Sequence, residues 1–333
     1  KKTGIKVTMA SSTQIITLGG GKGGIGKSIM CTNLAVGMAL SGQKVVLMDG
    51  DFGASNLHAL LGISHPPYGF QDLFTNHRLD PESLLIETGI DNLKFISSAG
   101  DNPGSANIDP ERVQTIISFL KQLKAHTVIL DLGPGTSFNV LDFFNIHDQC
   151  IVMSTPEMTS VMKTFSFIRA ALFRKISLHL RDAPELQRLV DHSHPSQADV
   201  ETCTIDILRE NIEKIDSSQA EEVEKVIKSF KPEIIINRVR NKKDLQTGDN
   251  LINLVKKFLD VDLKYLGHVI ESDRVRDSAE EMIPFLIKDP QSTPSKNLQE
   301  IIGELTNIDL NLVKEDGKIL VSKQVRLGSG WGF

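Results

Sequence analysis

A chain of 333 residues with 40% hydrophobic and 24% charged composition can bury a substantial core and exceeds the commonest single-domain size. Its formal charge of −5 argues against an electrostatically driven nucleic-acid surface, though so mild a value leaves room for a local basic patch. Cys31, Cys150 and Cys203 stand far apart with no C-x-x-C pairing, which excludes a zinc ribbon, argues for a reducing compartment and, with no spanning apolar run or secretory signal, implies a cytoplasmic protein.

The chain starts at Lys1 without methionine, and Met9 lies just before the first strand, so an upstream element is an open expectation. Residues 14–19 are apolar and β-branched, as a buried strand requires, and residues 29–40 form an apolar-periodic helix closed by Gly42. Between them residues 19–28 read Gly-Gly-Gly-Lys-Gly-Gly-Ile-Gly-Lys-Ser. The phosphate-loop pattern G-x-x-x-x-G-K-[ST] is met by Gly21, Gly26, Lys27 and Ser28, in the strand, loop, helix order that such a loop needs. Gly23 and Gly24 let the backbone bend so that N–H groups point at phosphate oxygens, and Ile25 and Ile29 complete the nucleotide-binding stretch. Lys27 is placed to reach the β- and γ-phosphates, and the Ser28 hydroxyl to hold Mg²⁺. Lys22 is surplus to this pattern: it is either a solvated surface lysine or has another task.

A second buried strand over 44–49 delivers Asp49, Gly50 and Asp51 to its C-terminal end, the edge where ligands bind in an open α/β sheet, and the two carboxylates are expected to differ in role. A turn closing the strand is the plainer alternative. A strand over 93–97 leads into a loop, residues 98–104, suited to a lid or partner contact, and a helix follows over 112–123. The strand 127–131 ends in Asp131, followed by Leu132, Gly133, Pro134 and Gly135; an aspartate leaving a buried strand beside a phosphate loop is placed to hold Mg²⁺.

A strand over 149–154 leads through Pro156 and Glu157 into a long helix from about residue 158 to 173. Arg169, Arg174, Lys175 and Arg181 form a basic cluster, better read as helix-end charge than as a DNA contact. Residues 177–230 look like a partly helical insertion: polar, turn-rich material around Pro184 and residues 192–202, then amphipathic helices over 205–215 and 220–230. His192 and His194 lack helical metal spacing and read as loop residues. The strand 233–238 ends in Asn237, either a base contact or a strand-end turn residue, and a last strand covers 263–269. Alternating strands and helices of this kind predict a doubly wound, mostly parallel sheet covered on both faces. The tail, residues 308–333, alternates apolar residues at period two and reads as locally packed strand, with Trp331 and Phe333 available to a membrane or partner.

The combination K-G-G-x-G-K-[ST] at residues 22–28, with Asp49, Asp51 and Asp131, resembles the deviant Walker A ATPases of the MinD/ParA family, and the resemblance covers roughly residues 14–290. It implies a P-loop NTPase fold of the SIMIBI type over residues 10–307, ATP and Mg²⁺ as ligands, and an ATP-dependent homodimer in which Lys22 crosses to the partner's nucleotide. It further implies that Asp51, in switch I, orients or activates the attacking water, that Asp49 lies nearer Mg²⁺, that Asp131 is the Walker B ligand, and that Asn237 lies against the base. The family's D-x-P-x-G becomes Asp131-Leu-Gly-Pro-Gly135 here, with proline one place later. The phrase N-L-x-x-L-L-G at residues 56–62 looks closest to the flagellar-number regulators of the group, and implies slow, partner-stimulated hydrolysis controlling the number or placement of a cellular structure. A DNA- or cargo-partitioning ATPase and a non-hydrolysing scaffold are the alternatives. The metal-cluster carrier branch needs thiols that this chain places badly, and the tail lacks the amphipathic membrane helix of MinD proper.

Overall fold

The computed structural model describes residues 13–53, 56–75, 80–98, 108–146, 149–192 and 205–325. In chain order the elements are β1 (Gln14–Gly19), α1 (Lys27–Leu40), β2 (Val45–Gly50), the short helices α2 (Leu57–Leu60) and α3 (Asp72–Thr75), β3 (Ile86–Glu87), β4 (Leu93–Ile96), α4 (Pro110–Gln122), β5 (Thr127–Leu132), α5 (Phe138–Phe144), β6 (Gln149–Ser154) and α6 (Met158–His179). They continue with α7 (Pro184–His192), α8 (Ile205–Ile215), α9 (Ser217–Ser229), β7 (Glu233–Val239), α10 (Lys242–Leu259), β8 (Lys264–Ile270), α11 (Asp273–Glu280), α12 (Phe285–Lys288), α13 (Thr293–Thr306), β9 (Ile308–Glu315) and β10 (Lys318–Val325).

The central sheet has eight strands in the order β3-β4-β2-β5-β1-β6-β7-β8, parallel throughout except where β3 meets β4. Its strands alternate strictly between two apolar layers. Ile15, Met48, Val128, Leu130 and Val152 pack with α4, α5, α6 and α10 on one face, while Ile16, Leu18, Leu47, Ile129 and Ile151 pack with α1 and α13 on the other. The doubly wound α/β architecture expected from the sequence is the one observed. β1 sits between β5 and β6, so the loop after β1 and the ends of β2 and β5 open on the same edge.

Two elements differ from the sequence expectation, and the tail agrees with it. Between the turn-rich stretches read around Pro184 and from residue 192, where the sequence predicts no element, the chain forms α7, because Pro184 occupies a helix start, where its missing N–H costs nothing, and Leu186 and Val190 are buried on one face. β3 is only two residues long and pairs antiparallel, which leaves no periodic signal. The tail forms the β9–β10 hairpin about the two-residue turn Asp316-Gly317, with Leu310 and Leu312 buried in the layer that holds α13. The basic cluster is partly drawn into the fold: Arg174 pairs with Asp142 and Lys175 lies over the Phe230 ring, while Arg181 pairs with Asp182 at the surface. Among the described residues no helix is long and apolar enough to cross a membrane. His194, Cys203, Trp331, Phe333 and most of the 98–104 loop lie outside the described residues.

Candidate nucleotide site

The loop leaving β1 is shaped by close contacts. A Cβ on Gly21 would lie 2.1 Å from the Lys163 carbonyl oxygen of α6, so only glycine lets the chain pass there. Gly26 caps α1 in the left-handed region at φ 92, which favours glycine. Gly24 is also left-handed at φ 74, Gly23 faces Pro134 after β5, and buried Ile25 anchors the loop. No side chain caps the start of α1 and its first turn holds no acid, so its partial positive charge is left for an anion. Lys27, only 8% exposed, and Ser28 open that helix.

Asp131 stands at the end of β5, in register with Asp49 of β2. It is 3% exposed and accepts hydrogen bonds from the Ser28 side chain and, at 3.5 Å, from Cys31 Sγ. Burial pushes its carboxyl up to about 7, Asp49 adds to the rise, and Ser28 and Lys27 oppose it. A carboxylate beside a hydroxyl, next to a loop shaped for phosphate, is a hard oxygen donor set that fits Mg²⁺ completed by phosphate oxygens and water. Because the folded-state value lies above the ordinary 3.8, the native protein binds more protons than the unfolded chain between about pH 4 and 7, so stability falls as pH rises through that window. Asp131→Asn is therefore expected to raise the stability of the nucleotide-free protein at pH 8, by at most about 4 kcal/mol and by much less at pH 5. It should also weaken Mg²⁺-dependent nucleotide binding. Thermal melts at the two pH values check the first expectation, and titration with MgATP the second.

Asp49 and Asp51 occupy different surroundings. Alternation along a continuing strand would put both on one face, but β2 ends at Gly50 and the chain turns. Asp49 is 1% exposed and folds the following segment back on itself, its Oδ1 accepting from the Asp51 N–H at 3.0 Å and its Oδ2 from the Leu57 N–H at 3.2 Å. Asp51 is half-buried, its Oδ1 accepts from the Gly53 N–H at 3.2 Å, and its carbonyl oxygen accepts from the Ser98 hydroxyl at 3.1 Å. A Cβ on Gly133 would lie 3.3 Å from the Asp51 carboxyl carbon, so the segments after β2 and β5 meet at Asp51.

Asn237, near the end of β7, donates from Nδ2 to the Ile25 carbonyl oxygen at 2.8 Å and so braces the loop. It also lines a cavity of about 900 Å³ with Gly26, Ile29, Arg238, Ile270 and Ser272. Arg238, Ile270 and Ser272 were not anticipated from the sequence: they come from two strands more than thirty residues apart, and Leu266-Gly-His-Val-Ile270 lacks the proline that would have flagged its loop. Lys22 faces the start of α6, with Nζ 3.5 Å from Glu157 Oε2 and 3.4 Å from Thr159 Oγ1. The Glu157 carboxyl is held below its ordinary range, first by the Thr155 hydroxyl and then by Lys22.

The comparisons with known proteins agree with this geometry. A ParA sequence model, described as an NUBPL iron-transfer P-loop NTPase, matches residues 11–179. The septum site-determining protein MinD of Bacillus subtilis is 24% identical over 316 residues, 93% of this chain and 96% of that protein. The antiactivator FleN of Pseudomonas aeruginosa is 25% identical over 158 residues, 47% of this chain and 55% of its own length. In fold, the structure of MinD from Pyrococcus horikoshii complexed with Mg-ADP superposes with a TM-score of 0.61 at 19% identity, covering 88% of this chain and 96% of that one. With the phosphate loop, the buried Asp131 and the parallel sheet in place, the chain belongs to the MinD/ParA family of P-loop ATPases.

Proposed function

We propose that this protein is an ATP-driven dimerisation switch of the MinD type, which binds MgATP, pairs with a second copy across its nucleotide and separates after hydrolysis. The observation that carries this reading is the convergence of Lys27, Ser28, Asp131 and Asp51 on one sheet edge, while Lys22 turns away to the start of α6. The backbone from Gly21 to Ile29 and the side chain of Lys27 hold the phosphates. Ser28 and Asp131 would hold Mg²⁺, with Asp49 nearby ordering the segment that carries Asp51. Mg²⁺ held there would supply positive charge against the negative charge that develops on the transferring phosphoryl group. Asp51 orients the attacking water, Lys22 of one copy serves the nucleotide of the other as an arginine finger would, and the cavity beside Asn237 takes the adenosine. On this reading nucleotide binding displaces Lys22 from Glu157 as the second copy arrives.

The ATPase domain spans residues 10–307, with the insertion over 177–230 and the tail over 308–333 available to a protein activator or cargo. For the cellular task we favour control of where or how often a structure is built. The flagellar reading draws on residues 56–62 and on the FleN similarity over about half the chain, whereas the MinD similarity runs nearly end to end. The partitioning alternative is weakened by the engagement of Arg174 and Lys175 of the basic cluster within the fold. Iron transfer fits less well, because Cys31 and Cys150 are both buried and lie in opposite apolar layers. Phosphate release from ATP tests the reading: slow turnover with Mg²⁺ that stops on chelation with EDTA supports it, and turnover unchanged by EDTA, or no ATP binding at all, overturns it.

A further inference from the structure

The helix that follows the Asp131 segment is clamped from outside the nucleotide site. Asp142 of α5 accepts two hydrogen bonds from Arg174 of α6, Nε to Oδ1 at 2.6 Å and Nη2 to Oδ2 at 2.9 Å, in the parallel fork that guanidinium and carboxylate form best. Both side chains are well shielded, 16% and 10% exposed, and the guanidinium also lies 4.4 Å from the ring centre of Phe138 in the first turn of α5. One residue beyond Asp142, Phe143 stacks on Phe52 with ring centres 5.6 Å apart and planes inclined by 24°. Phe52 directly follows Asp51, and a Cβ on Gly133 would lie 3.3 Å from the Asp51 carboxyl carbon, so the two segments run side by side there. The segment that carries Asp51 is thus packed against the stretch 133–144, chiefly through Phe143, and that stretch is fastened to α6 through Arg174.

We propose that Arg174 is a positioning residue for ATP hydrolysis: by gripping Asp142 it fixes α5, and through Phe143 and Phe52 it sets where Asp51 stands. The proposal rests on the reading of Asp51 as the group that orients the attacking water. The described partners of Arg174, Asp142 and the Phe138 ring, belong to α5 and not to the glycine loop, so loosening the grip is expected to move the water-orienting group more than the binding surface. A displacement on the order of 1 Å in such a group can cost up to about 100-fold in rate. It also places the control point on α6, where a bound activator could tighten or release the clamp without entering the nucleotide cavity.

The test is steady-state ATP hydrolysis by Arg174→Lys and Asp142→Asn, with nucleotide affinity and melting temperature measured alongside. Lysine keeps the charge and loses the fork, so the fold is retained while the grip is not. We expect kcat to fall roughly 10-fold in each variant with KM for ATP within about twofold of wild type, and the double variant to be no slower than either single one. A lower melting temperature with unchanged kcat would make the pair purely structural and overturn the proposal, as would a parallel loss of ADP affinity. Asp51→Ala is run beside them: if it hydrolyses normally, the reading of Asp51 falls first; if it is inactive while Arg174→Lys keeps full kcat, only the positioning role falls.

Discussion

Asp51→Ala is expected to bind MgATP as the wild type does and to hydrolyse it at least about 100-fold more slowly, the scale of a positioned group that directs a proton or water in the transition state. Binding is expected to survive because the proposed phosphate site is built by the backbone of the glycine loop and by Lys27 at the start of α1, whereas Asp51 lies beyond the end of β2. Turnover is expected to fall because, on the proposed reading, Asp51 is the half-exposed carboxylate where the described segments after β2 and β5 meet. Asp49 is not expected to replace it, since it is 1% exposed and already orders the backbone N–H groups of Asp51 and Leu57. Quenched-flow release of phosphate, with nucleotide affinity measured separately, distinguishes this from a general weakening of the site. Normal turnover in the variant would remove Asp51 from the mechanism.

Lys22→Ala is expected to produce a protein that binds ATP but fails to pair and turns over slowly. A cation delivered across an interface to a transferring phosphoryl group is worth about 10³- to 10⁵-fold in kcat, so the loss under dimer-forming conditions should be of that order. Within a single chain Lys22 contacts Glu157 and Thr159, an arrangement about one-third exposed that contributes little to folding. The melting temperature of the variant should therefore stay close to wild type. A variant that still dimerises with ATP would assign Lys22 to the surface and the pairing to other contacts.

Much of this was legible in the residues, for particular reasons. The parallel strands are continuous apolar runs, because helices bury both faces, and each functional run stops at glycine or aspartate on the edge that binds ligand, so β1, β2 and β5 could be read together with their ends. The phosphate loop is legible because the same few backbone positions must lack a Cβ. The two roles of Asp49 and Asp51 follow from the end of β2 at Gly50, which spacing does not display. Asn237 could be placed near the loop, but not its bond to the Ile25 carbonyl, which depends on tertiary approach over 212 residues. The Arg174–Asp142 pair was hidden for the same reason: in sequence Arg174 belongs to a basic cluster, and only the packing of α5 on α6 gives it a partner.

Pairing in response to ATP is the central claim, and it is read most directly from the solution mass of the Asp51→Ala protein with ADP and with ATP in the presence of Mg²⁺. The account predicts the 36.7 kDa monomer with ADP and twice that mass with ATP, returning to monomer when Lys22→Ala is added. A mass that stays at 36.7 kDa in both nucleotides, with ATP bound, would contradict it.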